Sequence, residues 1–432
     1  MIRKILLFLL CFCLLFASAC STQTPSEGSS APSASPDASA SAETPAPGGA
    51  ASGAPAETFD PTLVSDALMQ TEEFSLQLMQ NLRTAYTEGN TLFSPLAFNA
   101  SMAALYAAAE GDTEEELRVL MGYQTEPADT VSTLTYLIST VDSARFSLGN
   151  SLHLTKRVGF SESFIDNVTT PLRISTYSQD YADQATFQSI NACAELLTDG
   201  RVSTILESTA AADTLYLLSA FSLNGAFDLP FDPESTTAAS FESPTGLVST
   251  QMMTGDFVTG YAEDEYMQMV SLPMNGGAME LKLILPREGG AQAFDEAFPQ
   301  YADTWLAPET PTSHSVHLSL PSFTVNSGAS YLEILTSMGL NTTLRAQSVD
   351  LSGMLSPDLV LPTPLNDIFS VASLTVTESG INAEAGAEPV PAESSEESVE
   401  LTFDRPFLMA VTDTQTGVLL AMGWVNTVNE SK

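Results

Sequence analysis

The segment spanning residues 377–400 constrains the fold of this chain most, because it is long, polar and enclosed by apolar sequence. It reads TESGINAEAGAEPVPAESSEESVE and contains no aromatic residue, no Lys and no Arg. Residues 369–376 before it and 401–411 after it are rich in apolar and β-forming residues, which predicts a strand on each side. A loop this long inside a compact domain is uncommon and is usually functional or disordered. Composition alone would describe it as a flexible acidic surface loop.

The first half of this loop nevertheless carries a strand pattern. Small or apolar residues occupy every second position: Ile381, Ala383, Ala385 and Ala387. A period of two is typical of a half-buried strand. Pro389 and Pro391 then interrupt the pattern, because proline cannot donate a hydrogen bond to a neighbouring strand. The loop therefore predicts a segment able to join a sheet, followed by two residues that oppose joining.

The N-terminus predicts export. Residues 1–19 have a basic start, an apolar run too short to span a bilayer, and a small-residue end, which together indicate a signal peptide. Small residues directly before Cys20 resemble the cleavage box of bacterial lipoproteins, so Cys20 is the expected lipidation site; ordinary secretory cleavage near Ala19 is the alternative. A diacylated cysteine gives stable membrane anchoring. The expected location is therefore extracellular, lipid-anchored on the outer face of a bacterial cell membrane.

The remaining chain divides by composition. Residues 20–57 are Ser, Ala, Pro, Gly and Thr with a few acids, and they cannot bury a core, so they predict a disordered tether. Residues 58–432 predict one large domain. Apart from Cys20, the mature chain would keep only Cys193, which we expect to pack as a small apolar residue on a helix.

Charge and motifs exclude several functions. The net charge of −39 repels phosphate backbones, which excludes nucleic acid as a partner and makes heparin binding unexpected. The three histidines lack metal-ligand spacing, and the chain has neither a nucleophile elbow nor a phosphate-binding loop. We therefore expect no catalytic residue, no metal, no cofactor and no enzyme activity.

Three stretches resemble the serpins, the family of suicide protease inhibitors. The sequence from Glu378 to Ala385 resembles the hinge pattern Glu-x-Gly-Thr-x-Ala-x-Ala. Residues 90–113 resemble a second family stretch, and 403–426 a third that contains Arg405-Pro-Phe. The matching positions of the second stretch are Asn90, Ser94, Pro95, Gly111 and Thr113. Ser219 stands where the family places a buried Asn, and Ser370 where it often places a His. In the family these two side chains bond each other. Both are absent here, so we expect different contacts to control the opening of the central sheet.

The resemblance implies an α+β serpin fold, with three β-sheets, a large central sheet A, about eight or nine helices and an exposed reactive-centre loop. It also implies a monomer that traps a serine protease as a covalent acyl complex when the cleaved loop inserts into the central sheet. The implied hinge residues are Glu378, Gly380, Ile381, Ala383, Ala385 and Ala387.

Family spacing from Glu378 places the cleaved bond at Ser394–Ser395, and counting back from Arg405 moves it one residue later. Glu393, Ser394, Ser395 and Glu396 therefore bracket it. These small and acidic residues predict an elastase-like, subtilisin-like or glutamyl-specific target. The alternative is a non-inhibitory surface lipoprotein with the serpin fold, used in ligand binding or adhesion, whose loop is cleaved as a substrate.

Overall fold

The computed structural model describes residues 61–183, 185–307, 311–383 and 398–428, with side chains of the first helix described from residue 64. All of them belong to a compact unit that spans Thr58–Lys432. Within these ranges, no helix combines the length and the apolar character that crossing a membrane requires.

The described part contains eight α-helices, of which α5 is a single turn. Their bounds are α1 Pro61–Ala85, α2 Pro95–Ala108, α3 Asp112–Met121, α4 Pro127–Thr140, α5 Glu162–Phe164, α6 Ala185–Leu197, α7 Ala291–Leu306 and α8 Leu332–Met338. The sequence itself carries the start signal of helix α2. Pro95 takes the first helical position, where its missing N–H costs nothing, and the Ser94 hydroxyl accepts from the Ala97 amide at 3.1 Å.

The strands lie between these helices, with one long run of strands between α6 and α7 and another after α8. They are β1 Thr91–Phe93, β2 Phe146–Leu148, β3 Ser151–Thr155, β4 Ser175–Gln179, β5 Leu215–Leu223, β6 Gly225–Ala226, β7 Thr237–Ser243, β8 Gly246–Glu263, β9 Met267–Met274, β10 Met279–Pro286, β11 Ser313–Pro321, β12 Phe323–Ser330, β13 Leu365–Thr377, β14 Gly380–Ile381, β15 Val399–Thr402, β16 Phe407–Asp413 and β17 Leu419–Val425.

These strands form two hydrogen-bonded sets. The central sheet has the order β4-β3-β5-β13-β14-β6, with β12 also on β13 and β2 also on β5. The other set has the order β1-β17-β16-β10-β9-β8-β11-β15, with β7 also on β8. Strand β8 is 18 residues long and pairs with β7 and β11 over one part and with β9 over another. The family resemblance implies two smaller sheets beside the central one. Here the single strand β8 belongs to both, so they form one hydrogen-bonded set.

The central sheet is covered on both faces. One face of β13 enters the main core with α2, and its side chains are at most 2% exposed: Ile368, Ser370, Ala372, Leu374 and Val376. They share this face because alternate residues of a strand project to the same side. On the opposite face, Ile190 and Ala194 of α6 pack in a second apolar cluster with Phe369 and Val371 of β13. Any strand added next to β13 would therefore meet the core on one side and α6 on the other.

Candidate functional site

The candidate site is the slot between β5 and β13, the two strands at the middle of the central sheet. They run parallel and pair from Leu365 opposite Leu215 to Val371 opposite Ala220. At the lower end, the Asn366 side-chain oxygen accepts from the backbone amides of Thr214 at 2.7 Å and Leu215 at 3.1 Å. This amide group closes the lower end of the slot where the two strands begin.

The middle of the slot differs from the Asn–His arrangement of the family. Ser219 and Ser370 are register partners in the backbone ladder, and both are buried. The Ser370 hydroxyl donates to the Leu92 carbonyl of β1 at 3.2 Å, and the Tyr331 hydroxyl donates to the same oxygen at 3.5 Å. The polar link from Ser370 therefore runs from β13 down to β1.

The top of the slot is occupied by the start of the loop itself. After Thr377 the chain turns back, and Gly380–Ile381 pairs antiparallel with β13 on one side and with Gly225–Ala226 on the other. Ile381 is 0% exposed. Gly380 has φ +131°, and a Cβ there would lie 2.1 Å from the Gly225 carbonyl oxygen, so only glycine fits. The first two strand residues of the predicted hinge thus already lie within the sheet.

The turn that precedes these residues is fixed by bonds to the chain after β6. The Glu378 carboxylate accepts from the Thr236 hydroxyl at 2.8 Å, and its carbonyl accepts from the Phe231 amide at 3.0 Å. The Ser379 carbonyl accepts from the Phe227 amide at 3.0 Å. Glu378 is therefore an anchor for the turn.

Asn382 closes the slot below the inserted residues. It adopts a left-handed backbone conformation, φ +47°, which Asn tolerates better than most residues. Its side-chain nitrogen donates to the Leu223 carbonyl of β5 at 2.9 Å, and its side-chain oxygen accepts from the Thr375 amide of β13 at 3.0 Å. The side chain thus bridges the two central strands where no strand lies between them. Sequence reasoning missed this role, for which the only local signal is an Asn within an otherwise strand-like alternation.

The other end of the loop lies in the second sheet. Val399–Thr402 pairs parallel with β11, from Val316 opposite Val399 to Ser319 opposite Thr402. Arg405 donates through Nε and Nη2 to the Pro286 carbonyl at 3.2 and 2.8 Å. Residues 384–397 therefore connect two different sheets.

The buried His153 of the central sheet is held by neighbouring polar and aromatic side chains. His153 of β3 stacks on Tyr177 with ring centroids 4.9 Å apart, and its two ring nitrogens contact the Ser151 hydroxyl and the Gln179 amide, each at 3.0 Å. Burial lowers the pKa of His153 to about 3, so this imidazole is neutral at neutral pH. Within the described ranges, no cluster of three or more His, Cys, Asp or Glu could hold a metal ion.

Comparison with known proteins now identifies the family. The profile of the family described as "Serpin (serine protease inhibitor)" matches residues 69–428. This chain is a serpin. It is 27% identical over 364 residues to a serine protease inhibitor of Rattus norvegicus, a match that covers 80% of this chain and 85% of the relative.

Solved serpin structures share the fold. The insect Serpin48 of Tenebrio molitor superposes with a TM-score of 0.75 at 19% identity, covering 87% of this chain and 100% of that one. Human thyroxine-binding globulin, solved as a complex with thyroxine, superposes with a TM-score of 0.74 at 21% identity, covering 85% and 100%. The predicted α+β serpin fold is confirmed. Serpins are protease inhibitors rather than catalytic enzymes. Some members, such as thyroxine-binding globulin, are non-inhibitory.

The structure brings together four of the predicted hinge residues. Glu378, Gly380, Ile381 and Ala383 lie at the top of the slot, with Ala383 half-buried at the edge of the described segment. Several predicted positions lie outside the described residues: Cys20, Ala385, Ala387, Glu393, Ser394, Ser395 and Glu396.

Proposed function

We propose that this serpin inhibits a serine protease by a suicide mechanism, in which its cleaved loop becomes a new strand between β5 and β13. The observation that carries the proposal is the two-residue strand Gly380–Ile381, which already pairs with β13. The chain continues in the same register for one more residue, because the Asn382 amide donates to the Thr375 carbonyl at 2.8 Å.

Extending this register would place the small loop residues toward the core. In an antiparallel pair, each step forward along one strand is matched by a step back along the other, and here Val376 faces Ile381. Continued in this way, the pairing would set three alanines opposite three residues of β13: Ala383 opposite Leu374, Ala385 opposite Ala372 and Ala387 opposite Ser370. Those three β13 side chains are at most 2% exposed and lie on the core side. Directly opposed residues of antiparallel strands project from the same face, so the alanines would enter the core without overpacking it.

The reaction would begin when the protease serine attacks a carbonyl carbon within the bracket Glu393, Ser394, Ser395 and Glu396. The serine oxygen replaces the backbone nitrogen, the released amine takes up the proton, and the N-terminal part of the loop stays esterified to the protease. Insertion of that part would then carry the protease along the sheet and distort its active site. The small and acidic bracket favours an elastase-like, subtilisin-like or glutamyl-specific target.

Three residues of the later loop favour a second candidate function, a non-inhibitory serpin whose loop is only a substrate. Pro389 and Pro391 would each remove one hydrogen-bond donor from the new strand, at about 1–3 kcal/mol if the partner carbonyl stays buried. The same register would place Glu388 opposite Phe369, which is 3% exposed beneath α6. Slow late insertion would let the protease hydrolyse the ester and leave, and the fold would then serve ligand binding or adhesion.

A protease panel separates these two functions. We expect at least one elastase-like, subtilisin-like or glutamyl-specific enzyme to form an SDS-stable complex with the mature chain. If every enzyme of the panel cleaves the loop and none is retained, the inhibitor proposal is wrong. The matched variant Pro389→Ala/Pro391→Ala tests the role of the prolines. If only this variant forms an SDS-stable complex with the protease, the two prolines make the native chain a substrate.

We also propose that the mature chain is anchored to the outer face of a bacterial membrane through lipid on Cys20. The support is the small-residue sequence before Cys20 and the tether-like composition of residues 20–57. In a bacterial host fed labelled fatty acid, the full chain should incorporate label and partition with membranes. Cys20→Ala should lose both properties. Equal labelling of the two chains, or release of the unaltered chain into the medium, would contradict the anchor.

A further inference from the structure

Arg201 lies on the outer face of the central sheet, beside the upper part of β13. It follows α6 in the connection to β5, and its Nη1 donates to the Ser373 hydroxyl at 3.0 Å and to the Thr375 hydroxyl at 2.7 Å. Both acceptors are neutral, and the residue is exposed. The sheet thus presents a guanidinium along this part of β13, in a chain with 14 basic residues and 53 acidic ones.

The backbone around Arg201 holds it in this place. The Arg201 amide donates to the Thr198 carbonyl at 3.1 Å, and the next residue, Val202, donates to the Thr198 hydroxyl at 2.9 Å. Val202 is 8% exposed and packs on β12 so closely that a Cβ on Gly328 would lie 2.5 Å from its Cγ1. The guanidinium is therefore positioned by a packed segment.

The β13–β14 register identifies which loop residue would meet this guanidinium. Val376 faces Ile381, and the bond from the Asn382 amide to the Thr375 carbonyl continues the pairing, so Glu384 would face Ser373. Side chains of directly opposed strand residues lie about 4.5–5.5 Å apart at Cβ and project from the same face. Ser373 projects to the outer face toward Arg201, so the Glu384 carboxylate would lie there too.

The next outward position agrees with this register. Gly386 would face Val371, which is fully buried in the apolar cluster beneath α6. Only a residue without a side chain fits easily under a packed helix. The sequence thus has Glu384 opposite the polar, Arg-bearing part of β13 and Gly386 opposite the covered part, whereas Glu388, two residues further on, would meet buried Phe369.

We infer that Arg201, with Ser373 and Thr375, forms a docking site for the Glu384 carboxylate once the loop has entered the central sheet. This inference rests on the proposed function, because the register that would bring the pair together is that of the inserted strand. Arg201 would act as a positioning residue that favours the correct register of the new strand as it passes the top of the slot.

A charge-swap cycle tests the pair. The variants are Arg201→Glu, Glu384→Arg and the double exchange, each compared as intact and as loop-cleaved protein. In the cleaved form we expect each single variant to unfold about two- to five-fold faster in denaturant, as for other exposed charge pairs, and the double exchange to restore the rate. The intact forms should show no coupling between the two positions, and added salt should weaken the coupling in the cleaved form.

Controls separate this inference from the proposed function. Glu388→Arg combined with Arg201→Glu should show no restoration, because that register position faces Phe369. If Arg201→Glu does not fold, Arg201→Gln and Glu384→Gln provide a neutral cycle. A cleaved native chain that is stabilised over the intact one but shows no coupling would overturn the inference alone. A native chain that gains no stability on cleavage would overturn the proposed function.

Discussion

Cleavage of the loop within residues 393–396 should raise the melting temperature of the folded domain by about 10–20 °C. The cut frees residues 383–391 to extend the two-residue strand Gly380–Ile381 between β5 and β13. Each new backbone hydrogen bond contributes about 0.5–1.5 kcal/mol net, and the inward alanines add buried apolar area. Calorimetry on the intact chain and on the chain nicked by limited proteolysis measures the difference directly.

The control for this experiment is a cut that cannot promote insertion. Nicking in residues 20–57 leaves the loop closed at both ends and should leave the melting temperature unchanged. Mass spectrometry of the fragments establishes which bond was cut. A nicked chain that melts within about 2 °C of the intact one, with the cut placed inside the bracket, would show that the loop stays outside the sheet, since even a few strand bonds exceed that shift.

Local sequence patterns predict the parts of this site whose structure is decided within one helix or one strand. The inward face of β13 from Ala372 to Val376 follows from the alternation of apolar and polar residues there, and the start of α2 follows from Ser94 and Pro95. The alternation that begins at Ile381 likewise predicts a segment compatible with a sheet, and the structure places Ile381 in one. In each case the deciding interactions are local to a single element.

Other parts depend on partners that are distant in sequence. Asn382 bonds Leu223, which comes from a strand far earlier in the chain, and nothing in the hinge sequence indicates that carbonyl. Trp424 is another example. The Arg83 guanidinium carbon lies 3.6 Å from the centroid of the Trp424 ring, and Phe294 lies beside that ring. The three residues come from three separate elements. Such contacts are set by the packing of the whole domain.

Moving one acidic residue of the hinge by a single position should remove most of the stabilisation that insertion supplies. The variant Ala383→Glu/Glu384→Ala keeps the composition and the net charge. In the register fixed by Val376 and Ile381, it transfers a carboxylate from the outer face to the core face, opposite Leu374, which is 0% exposed. An unpaired buried carboxylate costs several kcal/mol, enough to remove much of the free energy gained from the new strand.

We expect this variant to be cleaved by the same proteases as the native chain, to form no SDS-stable complex, and to gain little or no melting temperature on nicking. The single variant Glu384→Ala is the matched control: it removes the same outward acid without placing one inward, so it should retain most of the stabilisation on cleavage. Successive strand residues project from opposite faces, so the face of the inserted strand that carries the carboxylate then decides how much cleavage stabilises the domain. Equal stabilisation of the shifted variant and the control on cleavage would contradict a register in which Ala383 faces the core.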